Sequence, residues 1–246
     1  MPAPLVEVGP DGPVVEITVG SGERRNALTC AAWAELERRV RELGERDELR
    51  AVVVRGRGNT FCAGSDMNEW DGASPEEVEE TFTRMEAAFR AVEECPVPVV
   101  AEIHGVAAGA GCQLALACDL RFMAGTARIG MPIAQLGIMA SPAFAARMVA
   151  VAGPSVTRGL LYTGRLLEAR EAVEAGLADR QLAAPTLTAF TERTLARIAG
   201  QPPAAVRAAK RAVSAALSPS RTATAVNGES AVAYAEFQRA VGDFLR

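Results

Sequence analysis

Residues 99–119, VVAEIHGVAAGAGCQLALACD, constrain the fold of this chain more than any other stretch. A β-rich run ends in glycines at 105, 109 and 111, and an apolar, helix-forming run follows at once. Glycine lets a backbone approach a neighbour or a ligand closely. The first amides of a helix lack intrahelical acceptors and lie at the positive end of its dipole. Such a junction offers N–H groups to something electron-rich. Gln113, one turn further in, is uncharged at a point where an acid–base residue would be useful.

Strands and helices alternate around this stretch. VVEITV (Val14–Val19) and AVVVRG (Ala51–Gly56) read as strands. Thr29 caps a helix reaching about Leu43, with Trp33, Leu36, Val40 and Leu43 on one face. Ser74-Pro75-Glu76-Glu77 opens another that runs to about Glu94, before Pro96 and Pro98 stop it. Short strands are predicted at 120–124 and near 127–130. Beyond Pro142 the pattern predicts helices only, near 142–152, 154–163, 168–175, 186–199, 202–216 and 222–244. The expected organisation is a β/α core, residues 1–199, followed by a helical C-terminal region, 200–246.

Charge and composition exclude several functions. Net charge is −4, from 26 basic and 30 acidic residues. Lys210 is the only lysine, and no basic tract is present, which argues against a nucleic-acid partner. No apolar run is long enough to span a bilayer, and the first residues lack a signal-peptide pattern. The five cysteines, Cys30, Cys62, Cys95, Cys112 and Cys118, include no C-x-x-C pair. Reduced thiols in a cytoplasm are therefore expected. His104 is the single histidine and has no second ligand at metal-binding spacing, so no metal site is expected.

FCAGSD (Phe61 to Asp66) follows one buried strand as GVAAGAGCQ (Gly105 to Gln113) follows another. Alone, each is an ordinary tight turn. Together they could place two backbone amides on one oxygen, forming an oxyanion hole. A dinucleotide fingerprint is incomplete, because GAG lacks the third glycine, and no G-x-x-x-x-G-K-[ST] occurs.

The order ERRNALT, FCAGSDM, HGVAAGAGCQLALACDLR and LLYTGR…EAREAVEAGLAD resembles the crotonase (enoyl-CoA hydratase/isomerase) superfamily over nearly the whole chain. The resemblance implies an α/β fold, a spiral of β-β-α turns with a helical C-terminal trimerisation region. It implies homotrimers or hexamers and a coenzyme A or carrier-bound thioester as ligand, with no cofactor beyond coenzyme A as part of the substrate. Carried over by residue, the oxyanion donors are the amides of Ser65 and Ala110. Arg24, Ala27, Ala63, Ser65, Asp66 and Met67 line the coenzyme A site. GSGERRNAL replaces the family's common NRPERRNAL at this edge.

The two glutamates that handle water in the family's hydratases correspond to Gln113 and to Ile133 in Gly130-Met131-Pro132-Ile133. Glutamine does not titrate and isoleucine cannot hydrogen-bond, while a positioned acid–base group contributes about 10²–10⁴-fold. Ordinary hydration is therefore expected to be slow. Gln113 either orients water or a carbonyl or, as a helix glutamine, satisfies its neighbours, and Ser141 is either a catalytic side chain or the cap of the helix at Pro142. Asp66 is expected to brace its loop. Glu69 and Asp71 are candidate bases or solvated loop acids, and Tyr234 is a candidate phenol donor or a packing residue. Decarboxylation fits such a site best, because loss of carbon dioxide makes the enolate directly. Hydrolysis, C–C cleavage and isomerisation with an atypical base remain open, as do a weak enoyl-CoA hydratase and a non-catalytic acyl-CoA-binding assembly subunit. If the alignment holds, Gln113→Glu with Ile133→Glu is expected to raise hydration.

Overall fold

The computed structural model describes residues 5–221 and 234–246. Its first strands are β1 (Val6–Val8), β2 (Val14–Val19), β3 (Ala51–Gly56), β4 (Val99–Ile103) and β5 (Val106–Ala108). β6 (Leu120–Ala124), β7 (Arg128–Gly130), β8 (Leu166–Glu168) and β9 (Arg180–Leu182) complete the set. The order β1-β2-β3-β4-β6-β9 makes one sheet, antiparallel only at β1–β2. β5-β7-β8 makes a second, smaller one. The helices are α1 (Cys30–Gly44), α2 (Pro75–Glu94), α3 (Ala110–Ala117), α4 (Pro142–Thr163), α5 (Ala169–Glu174), α6 (Ala184–Ala199), α7 (Pro203–Arg221) and α8 (Tyr234–Leu245).

Successive turns repeat one plan: a strand of the large sheet, a short extended segment, then a helix. β4, β5 and α3 form one turn; β6, β7 and α4 form another. In the earlier turns single bridges replace the second strand, Leu28 pairing with Ser65 and Cys62 with Ala107. The expected spiral of β-β-α turns is therefore present, with helices at the C-terminal end.

Local chemistry explains the main helices. The Thr29 hydroxyl accepts from the Ala32 amide and starts α1, whose Trp33, Leu36, Val40 and Leu43 are buried as their spacing predicts. Ser74 and Glu77 form a reciprocal capping box at α2. α1 and α2 pack together, and the Trp33 and Phe89 rings meet edge to face at 5.4 Å.

One expectation needs correction. The C-terminal half is not purely helical, because β8 pairs with β7 and β9 extends the large sheet beside β6. Each is three residues long, too short to show an alternating pattern, and each exists through its partner strand. The helices expected at 142–152 and 154–163 are present within α4 as two helical stretches that part at Gly153, whose φ of 74° and ψ of 167° are non-helical. The helix expected over 222–244 lies partly outside the described residues; its described part is α8, which packs on the turns Met67–Glu69 and Pro132–Leu136. No helix among the described residues is long and apolar enough to cross a membrane.

Gly111 sits where two turns of the spiral touch. A Cβ there would lie 2.0 Å from the Cys62 carbonyl oxygen, so the backbones would have to part. Gly111→Ala should cost at least about 3 kcal/mol, the upper range for overpacking, and a thermal melt should register the loss.

Candidate active site

The two glycine loops lie side by side. Cys62 N–H donates to the Val106 carbonyl at 3.0 Å, and Ala108 N–H donates to the Cys62 carbonyl at 3.0 Å. A Cβ on Gly64 would stand 3.2 Å from the Ala110 nitrogen. Both loops face a cavity of about 670 Å³.

Backbone bonding directs the two amides into this space. Leu28 N–H donates to the Gly64 carbonyl at 2.9 Å, and in a planar trans peptide the Ser65 N–H points the opposite way. Asp66 N–H donates to the Leu28 carbonyl at 2.9 Å, fixing the other side of Ser65. The Gly109 carbonyl accepts from Gln113 N–H inside α3, so the Ala110 N–H points out of the helix end. Gly109 holds φ 55° and ψ −123°, a conformation that side chains resist. Among the described residues neither the Ser65 nor the Ala110 amide has an acceptor, and both residues line the cavity.

Arg24, Ala27, Ala63, Asp66 and Met67 line the same cavity. Arg24, Arg25 and Asn26 all have positive φ, 45°, 53° and 58°, which costs about 1–2 kcal/mol per residue. The buried Asn26 side chain holds this turn, donating to the Arg57 and Thr60 carbonyls at 2.9 and 2.7 Å and accepting from Gly22 N–H at 2.8 Å. Arg25 in turn accepts Ala63 N–H on its carbonyl at 2.9 Å, tying the turn to the first glycine loop. Asp66 braces its own loop, accepting from Asn68 N–H and from the Asn68 side-chain amide, and pairs with Arg24. Arg25 and Arg128 are exposed on the cavity wall and carry no ion pair among the described residues. Arg128 escaped sequence reasoning, since nothing in its local pattern marks it.

The interior is apolar. Trp70, Met85, Met131, Ile133, Ile138 and Phe144 are buried in its wall. Trp70 stacks on Phe82 at 5.6 Å. The end of α8 closes one side through Phe244 and Leu245. Ile133 therefore borders the cavity, as the motif Gly130-Met131-Pro132-Ile133 implies.

Gln113 does not. The side chain is fully buried outside the cavity lining, and its Oε1 accepts from Arg147 Nη1 at 2.9 Å. Its Nε2 donates to the Phe144 carbonyl at 3.4 Å. Arg147 also donates to Glu93 at 2.8 Å and to Glu86 at 3.0 Å, with its guanidinium 5.2 Å above the Phe89 ring. Burial pulls the Arg147 pKa down, but Glu93 and Glu86 outweigh it and hold it above the ordinary arginine value. Of the two readings of Gln113, the side chain's bonds fit the one in which it satisfies its neighbours, since a buried guanidinium claims it. Ser141 likewise lies outside the lining, its hydroxyl accepting from Phe144 N–H at 3.2 Å as the cap of α4.

The remaining candidates occupy structural places. Glu69 accepts from Cys30 N–H at 2.6 Å, at the start of α1. Tyr234 donates to the Ala73 carbonyl of its own chain. His104 stands 3.6 Å from the buried Glu102, and its carbonyl accepts from Phe61 N–H. Asp71 is exposed. Burial pushes the thiols of Cys62, Cys112 and Cys118 up to about 12, too high for them to act as nucleophiles.

A spiral α/β core with helices at its C-terminal end is the crotonase architecture. A sequence model of the family described as enoyl-CoA hydratase/isomerase matches residues 10–241, and the chain belongs to that family. It is similar to the Mycobacterium tuberculosis protein named "Probable enoyl-CoA hydratase EchA17", 35% identical over 77% of this chain and 72% of that one. Among solved structures, an enoyl-CoA hydratase/isomerase from Mycobacterium paratuberculosis superposes with a TM-score of 0.89 at 25% identity, covering 98% of both chains. An enoyl-CoA hydratase/carnithine racemase from Magnetospirillum magneticum gives 0.83 at 30% identity, covering 87% of this chain and 82% of that one.

Two outcomes follow from the Arg147 cluster. Arg147→Met strips Glu86 and Glu93 of their buried cation and should cost about 3–5 kcal/mol, readable as a lower melting temperature. Gln113→Glu adds a third carboxylate around one guanidinium and no group to the cavity. The double variant with Ile133→Glu should therefore hydrate crotonyl-CoA no faster than Ile133→Glu alone.

Proposed function

We propose that the protein acts on an acyl-CoA, or on an acyl-pantetheine held by a carrier protein, by stabilising a thioester enolate on the amides of Ser65 and Ala110. One observation carries the reading: two unpartnered amides face a cavity whose buried wall offers no free acid or base. Among the described lining residues there is no His, Cys, Lys or Tyr. The two acids are Asp66, bound to Arg24 and Asn68, and Glu168, exposed at the start of α5.

Decarboxylation is the reaction that asks least of such a wall. The bond between the α-carbon and the carboxylate breaks, carbon dioxide leaves, and the electron pair becomes the enolate. The thioester oxygen then carries the charge that the two amides receive, each donor contributing about 2.7–4 kcal/mol in comparable sites. Water delivers the proton to the α-carbon. Arg24, Arg25 and Arg128 supply positive charge at the rim for the phosphates of coenzyme A. The apolar interior suits an uncharged acyl substituent. The enzyme works in the cytoplasm as a homotrimer or hexamer, with coenzyme A entering only as part of the substrate.

Weak enoyl-CoA hydration is the competing reading, favoured by the names of the relatives. Assays with malonyl- and methylmalonyl-type, crotonyl- and 3-enoyl-CoA separate the two. Carbon dioxide release from a malonyl-type thioester is expected, with crotonyl-CoA hydration at least about 10²-fold slower; brisk hydration would overturn the proposal. Coenzyme A binding without turnover of any thioester would instead indicate a binding subunit. Ala110→Pro, at the first helical position where proline is tolerated, removes one donor and should lower turnover by about 10²–10³-fold.

A further inference from the structure

The Ser65 hydroxyl is engaged on both sides by side chains of the core. Trp33 Nε1–H donates to Ser65 Oγ at 3.0 Å, and Ser65 Oγ–H donates onward to Met85 Sδ at 2.9 Å. Trp33 is fully buried on α1 and Met85 is 1% exposed on α2. Each helix is anchored on its own account, α1 by the Thr29 cap and α2 by the Ser74 capping box. The relay thus crosses two independently fixed helices and meets at one residue of the first glycine loop.

Every other fixed point around Ser65 is backbone. The Leu28 bridge holds the peptide groups on either side of it. These bonds aim the Ser65 N–H, yet hydrogen bonds tolerate some angular play, so the peptide between Gly64 and Ser65 keeps a limited rotation. Gly64, with φ 110°, gives the chain that freedom immediately before the donor amide. A side-chain hydroxyl gripped on both sides blocks the rotation. The hydroxyl suits the task because it donates and accepts at once, matching an indole that only donates and a thioether that only accepts. Oxyanion stabilisation depends on donors already aimed at the developing charge, so this grip bears directly on the chemistry.

We infer that Trp33 and Met85 are positioning residues that fix the direction of the Ser65 N–H through its hydroxyl. The inference rests on the proposed oxyanion role of Ser65. It also accounts for a serine at a position whose backbone alone would touch substrate, and for a tryptophan whose N–H is used inside the core.

The test uses the whole protein and carbonyl-labelled [1-¹³C]butyryl-CoA, a saturated thioester without a leaving carboxylate. Hydrogen bonding to the carbonyl oxygen moves the ¹³C resonance downfield on binding. The wild type should show the shift; Trp33→Phe, which keeps a ring against Phe89, and Ser65→Ala, which keeps the amide, should each lose about half of it or more. Met85→Leu, which leaves the indole bond intact, should lose less. Should Trp33→Phe fail to fold, Ser65→Ala reads the same relay without touching the core ring. A full shift in folded Ser65→Ala would overturn the positioning role while leaving the oxyanion hole standing. Absence of any shift in the wild type would sink the oxyanion reading, and this one with it.

Discussion

The contact between the Cys62 carbonyl and the backbone of residues 107–111 holds the site together. That oxygen accepts from Ala108 N–H, and Gly111 passes so close that a methyl group would collide with it. Because the contact joins consecutive turns of the spiral, it sets both the pitch of the fold and the separation of the Ser65 and Ala110 amides. A gain in side-chain volume at 111 would trade directly against that separation. The glycines of the second loop therefore serve packing first, and the free amides come from the same geometry.

Around this fixed pair the structure divides its electrostatics. Arginines gather at the solvent edge, where a charged ligand portion keeps its hydration partly intact, and aromatic and aliphatic groups fill the interior. Buried Asp66 borders the cavity and is paired by Arg24, while the buried Arg147 cluster lies outside the cavity lining. Arg147 pairs with Glu86 and Glu93, its guanidinium over the Phe89 ring, and Gln113 completes its set of acceptors. A buried ion cluster of this kind tolerates little change in charge, because an added carboxylate at 113 would have to share Arg147 with two others. Neutrality at position 113 thus serves the charge balance of the core as well as removing an acid–base group from the family's usual place.

Much was legible in the sequence. Thr29 and Ser74 announced their helices, β2, β3 and β6 appear at the residues their composition marked, and the two glycine loops stood out by residue type alone. Less visible were features that depend on partners. β1, β5, β8 and β9 are three residues each and form only against neighbouring strands. The left-handed turn at Arg24–Asn26 includes two arginines, which rarely take that conformation, and the bonds of Asn26 to the distant carbonyls at 57 and 60 hold it.

The sequence by itself determined the family, the spiral plan and the absence of glutamate at positions 113 and 133, because residue identity and motif order carry that information directly. Only the tertiary structure decided where those side chains go. Ile133 borders the cavity while Gln113, three residues after a donor amide, turns to a guanidinium on α4. A side chain's direction is set by what packs against it, and Arg147 lies 34 residues away in the chain. For the same reason the hydroxyl of Ser65 has no role legible in the sequence, and gains its partners once α1 and α2 bring Trp33 and Met85 to it.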